Sequence, residues 1–413
     1  MSASALPPCC GQLRTARIAT TPERRFAPSD DGFRSGLRPV NWEVLVVGGG
    51  VVGWSVAHHL AAAGVRRILV VDRGGGSTER ATGGFRAQFA TEVNVRLSLL
   101  SRQKLLAFCE ETGVDPGYRP AGYLFLAATE AQRRQLTVAL EVQRACGCND
   151  ATPVGVEDVC RLAPCIRTEG VVGGTFSQRD GFIRPMQIRQ GYLEAALRAG
   201  VQRVDGEVTG LSDGGQSIAV ETSAGRHEAA TVVNAAGAWA GRLGAMAGVD
   251  VPVQPLRRQV ARTAPTTALP ASTPMTIFSD GFHFRVRDDH VLLLWPTAGG
   301  ADPFDVSVEP EWTARVATAT RERVPPLAEV PIASTHAGLY EMSPDEHALL
   351  GPAPGLERLF LVNGASGHGV MHSPALGQLA AEMLTGRPPS IDVHALRPSR
   401  FPEGQPNPIR RLL

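Results

Sequence analysis

The chain has 413 residues, of which 43% are hydrophobic and 20% charged, which excludes a small stapled module and a wholly disordered polymer. With 41 Lys+Arg against 40 Asp+Glu the formal net charge is +1, so nothing argues for nucleic acid or a strongly anionic membrane surface as partner. No apolar run reaches the roughly 18 residues that span a bilayer, and 45 Gly and 31 Pro mark many tight turns, so a soluble α/β protein with a small-molecule ligand is expected.

Residues 1–40 mix Pro, Ser, Thr and Arg, carry few large apolar residues and lack an h-region. A disordered tail is the default expectation; an organellar presequence, from Arg14 and Arg17 with no acid before Glu23, and an over-called start are the alternatives. Ordered structure is predicted to begin at the apolar run Glu43–Val47, which leads into Gly48-Gly-Gly-Val-Val-Gly53 and a helix from Trp54. Gly64 follows as a helix stop, and Arg66–Asp72 reads as a second strand ending in an acid. Together these segments form a complete βαβ dinucleotide fingerprint. Gly48 permits the tight turn, Gly50 lets backbone N–H groups approach a pyrophosphate at the positive helix end, and Gly53 lets helix and strand pack closely. Asp72 is placed to accept both hydroxyls of an adenosine ribose, which disfavours NADP; the spacing alone leaves NAD and FAD open.

Lys104, the only lysine, lies on an amphipathic helical segment and reads as a solvated surface residue. The seven cysteines form no CxxC pair and no zinc-finger tetrad, so reduced thiols in a cytoplasmic protein are expected. From Gly200 to Gly237, short alternating runs separated by Asp213-Gly-Gly and Ser223-Ala-Gly predict a small meander closed by a buried strand. That strand ends in Ala235-Ala-Gly237, small residues that leave room for a cofactor. Between 252 and 330, Ile277-Phe, Phe282–Arg287 and Val291–Trp295 predict an antiparallel sheet with Asp288-Asp-His as a turn. Period two places Phe282, Phe284 and Val286 on one face and His283, Arg285 and Arg287 on the other. That polar face either meets solvent or roofs a pocket. Finally, Leu359–Asn363 reads as a buried strand running into a second glycine loop, Gly364–Ser373, with Ser373 as N-cap and Pro374 as first residue of a helix. A helix N-terminus aimed this way suits partial negative charge. His368 and His372, four apart in a loop, do not read as a metal pair.

With these residues in place, the chain resembles the D-amino-acid oxidase superfamily of FAD-dependent oxidoreductases. The resemblance is to the branch holding monomeric sarcosine oxidase, the β subunits of heterotetrameric sarcosine oxidase and dye-linked L-proline dehydrogenase, and glycine oxidase. It is carried by the N-terminal fingerprint with Asp72-Arg73, by Thr231–Trp239, by Gly338–His347 and by Ser366–Pro374, and covers roughly residues 41–400. It implies a Rossmann-like FAD-binding lobe (about 41–110, 180–250 and 335–395) interleaved with an antiparallel or mixed-sheet substrate lobe (about 111–179 and 251–334), and a C-terminal tail from 401 to 413. The cofactor contacts it implies fall in four groups: Gly48, Gly50, Val52, Gly53, Asp72 and Arg73 in the fingerprint; Thr82 and Gly83 after it; Val208, Ala236, Gly237 and Trp239 in the meander; and Gly338 with Gly367, His368, Gly369, Val370 and Met371 near the end. In such proteins the loop matching Gly367–Met371 directs N–H groups and a helix dipole at flavin N1 and the C2 carbonyl, where hydride arrival leaves negative charge.

Two departures matter. Gly338 stands where sarcosine oxidase has its flavin-linking cysteine, so non-covalent FAD is expected. Met371 stands where that enzyme has a lysine that helps bind the substrate carboxylate and activate oxygen, which favours a dehydrogenase passing electrons to a carrier or partner subunit over an efficient oxidase using O2. The implied reaction is oxidation of the C–N bond of a small amino acid or secondary amine by hydride transfer, followed by imine hydrolysis. Arg86 and Arg285 are candidates for the substrate carboxylate, His283 for a hydrogen bond to the amine, and Tyr340 for the pocket border; His347 reads as a core residue. The rival from another class is a flavoprotein that acts in assembly or scaffolding without turning over an amine, as one mitochondrial relative does.

Overall fold

The computed structural model describes residues 42–297, 300 and 302–412; the predicted N-terminal tail lies outside the described residues. The strand Trp42–Val47 leads through the glycine turn into the helix Val51–Ala62 and back into the strand Ile68–Asp72, as the local pattern requires. Gly64, just past the helix, has φ +100°, the left-handed turn that glycine takes without strain.

Two eight-stranded sheets organise the molecule. In the first, Leu356–Asn363, Gly225–Asn234, Trp42–Val47, Ile68–Asp72 and Gln202–Asp205 run parallel in that order, with Val44 opposite Thr231 and Ile68. Strands Val208–Asp213 and Ile218–Thr222 extend antiparallel from 225–234, so the predicted meander is present with both predicted turns, while 202–205 joins the parallel layer instead. Such a layer needs cover on both faces. Val44, Val46 and Val70 pack against helices 51–62, Pro185–Arg198 and Gly369–Leu384, and Leu45, Val47 and Leu69 pack with Leu243 and Val251 on the other side.

The second sheet runs Ile332–Met342, Gln254–Thr263, His290–Leu294, His283–Arg287, Met275–Ile277, Tyr123–Ala127, Gly173–Ser177 and Ala151–Val154. After strand 254–263 the chain returns to the first sheet only beyond Met342. Phe282, Phe284 and Val286 enter an apolar cluster with Leu293 and Trp312, and the opposite face, with His283 and a fully buried Arg285, is turned toward the first sheet. Period two thus selects the face, and the roof reading of it is the correct one.

The last helix corrects an expectation. It begins at Gly369, with His368 at the N-cap position, and Pro374 lies inside it. The proline removes an N–H that would have bonded the Val370 carbonyl; the Ser373 hydroxyl donates to that carbonyl instead at 2.9 Å, so Ser373 repairs the helix interior and does not cap its start.

Residues after 400 are anchored. The buried Arg400 guanidinium bonds both oxygens of Asp345 at 2.8 and 2.9 Å, and Asn407 donates its backbone and side-chain N–H groups to Asp345 Oδ2, each at 2.9 Å. Among the described residues, no helix is long and apolar enough to cross a membrane.

Candidate functional site

A cavity of about 480 Å³ runs between the two sheets. Its near end is the glycine fingerprint. Gly48 has φ +107°, and a Cβ there would lie 2.3 Å from the Ala235 carbonyl oxygen, so only glycine lets strands 42–47 and 225–234 meet under the cavity. A Cβ on Gly53 would lie 1.8 Å from the Gly48 carbonyl oxygen; Gly53 therefore serves the turn from beneath and does not itself line the cavity. Gly50 and Val52 do, as do Asp72 and Arg73 at the end of strand 68–72. Arg189, which the sequence gave no reason to single out, fixes this corner: its Nε donates to the Gly49 carbonyl at 2.7 Å and its Nη2 lies 3.6 Å from Asp72 Oδ2.

Val208, Ala236, Gly237 and Trp239 line the middle, with Arg73 stacked 4.6 Å from the Trp239 ring centre and ion-paired to Glu207. Thr82, Gly83 and Gly338 form the opposite rim. Gly367, His368, Gly369, Val370 and Met371 close the far end at the N-terminus of helix 369–384. Gly367 has φ +88°, and a Cβ on it would lie 2.3 Å from the Tyr340 ring. All the sequence-predicted residues therefore meet in one cavity except Gly53 and Arg285.

Arg285 does not line the cavity. It lies on the predicted face but is fully buried, donating from Nη1 to the Gly83 carbonyl at 2.9 Å with its guanidinium 4.9 Å from the Phe182 ring centre. Of strand 283–287 only His283 lines the cavity, and Nε and Nη2 of Arg285 are buried without a hydrogen-bond partner among the described residues.

The far end holds neutral and cationic groups and one carboxyl group, Glu341. The Arg86 guanidinium stacks 3.8 Å from the Phe89 ring centre, donates to the Gln88 carbonyl, and lies with Nη2 3.0 Å from His368 Nε2. Because the guanidinium only donates, His368 Nε2 accepts, and burial with Arg86 beside it holds that imidazole well below its ordinary pKa. His283 Nδ1 donates to the Gly281 carbonyl at 2.8 Å, which leaves Nε2 as an acceptor, and burial pushes its pKa down to about 4. Tyr340 lines the cavity beneath Arg258, whose guanidinium lies 5.3 Å from its ring centre and donates to the Thr297 carbonyl at 3.0 Å. Tyr123 and Phe125 form an apolar wall with Ile277 and Leu294, and burial raises the Tyr123 hydroxyl to about 12.

Arg258, Tyr123 and Glu341 were missed by sequence reasoning. Arg258 faces Gly338 across paired strands, a juxtaposition that only the sheet register creates. Glu341 reads as an ordinary exposed acid beside Tyr340, yet it lines the cavity, its Oε1 accepting the Ala365 N–H at 3.3 Å. Burial raises its carboxyl to about 7, against the opposing effect of the Ala365 and Gly364 N–H groups.

This cradle fits an extended dinucleotide that carries a redox ring: glycines under a pyrophosphate, an acid at the ribose end and a helix N-terminus at the other. Comparison with known proteins agrees. The chain is 30% identical to FAD-dependent oxidoreductase domain-containing protein 1 of Bos taurus, over 90% of this chain and 87% of that one. It is 28% identical to a glycine oxidase of Pseudomonas aeruginosa, over 84% of this chain and 96% of that one. The structure of L-proline dehydrogenase from P. horikoshii superposes with a TM-score of 0.83 at 28% identity, covering 90% of this chain and all of that one. Residues 43–383 match the DAO family, and the chain belongs to that family of FAD-dependent oxidoreductases.

Proposed function

We propose that this protein oxidises the C–N bond of a small, carboxylate-bearing amine, holding FAD non-covalently and passing electrons to a carrier or partner subunit. One observation carries the reading: Arg86 and Arg258 both line the far end of the cavity, and among the described residues neither forms an ion pair, their hydrogen-bond and ring partners being neutral. Burial works against both charges, and a buried guanidinium without a carboxylate is stabilised by an anion from outside.

When bound, FAD supplies a two-electron acceptor for a hydride from the carbon next to nitrogen. The chain's own residues do the rest. Arg86 and Arg258 hold the carboxylate, His283 Nε2 accepts from the amine N–H and so fixes the donor carbon's orientation, and the Tyr123, Phe125, Ile277 and Leu294 wall excludes water. The positive end of helix 369–384 lies at the far end of the cavity, where it would favour negative charge on a bound redox ring. Met371 lies on that rim; with no ammonium there to attract oxygen, a carrier is favoured as acceptor.

The test is a visible spectrum before and after acid precipitation, followed by anaerobic titration with secondary and primary amino acids. Release of FAD into the acid supernatant and bleaching by one amino acid are expected. A yellow protein that no amine bleaches would sink amine oxidation in favour of an assembly role, and rapid reoxidation of the reduced protein by air would sink the carrier.

A further inference from the structure

Glu341 is the one carboxyl group at the far end of the cavity among the described residues that line it, since Asp72 and Glu207 belong to the near and middle parts. It enters from strand 332–342 and occupies the turn that begins helix 369–384: besides the Ala365 N–H bond, its Oε1 lies 3.2 Å from where a Cβ on Gly369 would stand. Oε2 faces Gly237, 3.8 Å from where a Cβ would stand there. Among the described residues no cation forms an ion pair with it, although Arg86 and Arg258 line the same end of the cavity. His368 is held neutral, Arg73 is paired with Glu207, Arg80 donates to the Ala337 carbonyl, and Arg258 on the adjoining strand stacks on Tyr340.

An ionised Glu341 and a reduced cofactor therefore compete for the same positive helix end. Two negative charges sharing a buried site do not both persist near neutrality, and the one with access to a proton takes it up. We infer that Glu341 binds a proton at Oε2 when the bound flavin is reduced and releases it on reoxidation, so that the site keeps its charge through turnover. This rests on FAD as cofactor and not on the identity of the amine. In the balance, the donor C–H bond breaks and its hydride carries two electrons and one proton to the cofactor; the amine carbon is oxidised. A second proton, from solvent or from the substrate ammonium, forms the O–H bond on Glu341 and leaves when the acceptor removes the electrons.

The position of the group also fixes the sign of the pH dependence. Burial raises the carboxyl to about 7, and a negative charge arriving beside it raises it further. Below that pH it is protonated in both states and contributes nothing; above it, reduction draws in an extra proton. A proton held by the reduced ring itself gives the opposite order, with the extra uptake at low pH.

The experiment is dithionite reduction of the FAD-loaded protein under argon, with proton uptake followed by an indicator dye in weak buffer and the flavin midpoint potential followed over about pH 6 to 9. For the wild type, two protons per two electrons are expected near pH 8 and one near pH 6; E341Q should show one at both. One proton at pH 8 in the wild type, or a second proton that persists in E341Q, would overturn the assignment. If E341Q does not hold FAD, the wild-type count at the two pH values still decides. A change in FAD affinity alone in E341Q, with wild-type proton counts kept, would make Glu341 a cofactor contact and overturn the proton role. A wild-type protein that binds no FAD at all would overturn the cofactor reading together with this one.

Discussion

Arg258, on strand 254–263, and Arg86, just after the short strand Gly84–Phe85, reach the same end of the cavity, and their chemistry differs from that of the lysine found in sarcosine oxidase at the Met371 position. A planar fork can grip both oxygens of a carboxylate, whereas an ammonium acts as a point charge. Replacing Arg258 with Lys should therefore weaken the substrate without removing the charge. Loss of one charged hydrogen bond costs about 1.5–3 kcal/mol, so the amine concentration for half-bleaching should rise roughly ten- to a hundredfold with FAD content unchanged. Unchanged bleaching in R258K would place the carboxylate elsewhere. Arg86 was legible because it sits close to where the resembled family places arginines beside the flavin and the substrate carboxylate. Arg258 and Glu341 were illegible for a physical reason: each becomes part of the site through strand register or through a turn contributed by a distant segment, and neither leaves a local pattern. Arg285 shows the converse, since alternation names a face but not how far along the strand the cavity extends.

Among the elements, the packing of helix 51–62 against helix 369–384 sets the approach of the two glycine loops. Gly377 sits at this crossing, where a Cβ would lie 2.1 Å from Ser55 Oγ, and that hydroxyl donates to the Ser373 carbonyl at 2.7 Å. Gly377→Ala must push the helices apart or break that bond, and overpacking of this kind costs about 1–3 kcal/mol. A lower melting temperature and weaker FAD retention are expected together; a stable G377A that holds FAD normally would show that the crossing is looser than its geometry. The βαβ unit and the buried strands were legible because short-range patterns define them. The start of helix 369–384 was not: Ser-Pro is a strong local start signal, and only the Ser373 hydroxyl on the Val370 carbonyl lets the helix begin earlier and run through the proline.

Across the whole molecule, the chain's end is tied to its middle by Asp345. Burial alone would raise this carboxyl, but Arg400 and Asn407 hold it down to about 2. Its contribution is thus complete above the ordinary aspartate value and is lost as pH falls through about 2. Asp345→Asn leaves Arg400 buried without its counter-charge, which costs about 3–5 kcal/mol, and should lower the denaturant midpoint at neutral pH; an unchanged midpoint would show that residues after 400 add nothing to the fold. Acid acts earlier through the interior. His59 and His372 are buried and His283 is half-buried; all three are held neutral, with pKa values near 3, 3 and 4, and His368 is also well below its ordinary value. Unfolded, all four bind protons below about 6.5, so stability falls as pH drops from there toward 4. Asp180 and Glu341, raised to about 6 and 7, oppose this, but the histidines outnumber them. The melting temperature should decline from pH 6.5 downward; a flat profile to pH 4 would contradict the buried-histidine interior.

The cavity that holds the cofactor is lined from Val47 to Met371. A ribosome has delivered the fingerprint long before it delivers the closing glycine loop, so no growing chain can grip the whole cofactor. Flavin capture is then an event of the finished polypeptide, and it stabilises whatever it fills in proportion to the logarithm of its concentration over its dissociation constant. Vitamin supply would set the lifetime of this protein in a cell, through the fraction of complete but empty chains exposed to proteolysis, without altering the rate at which those chains are made.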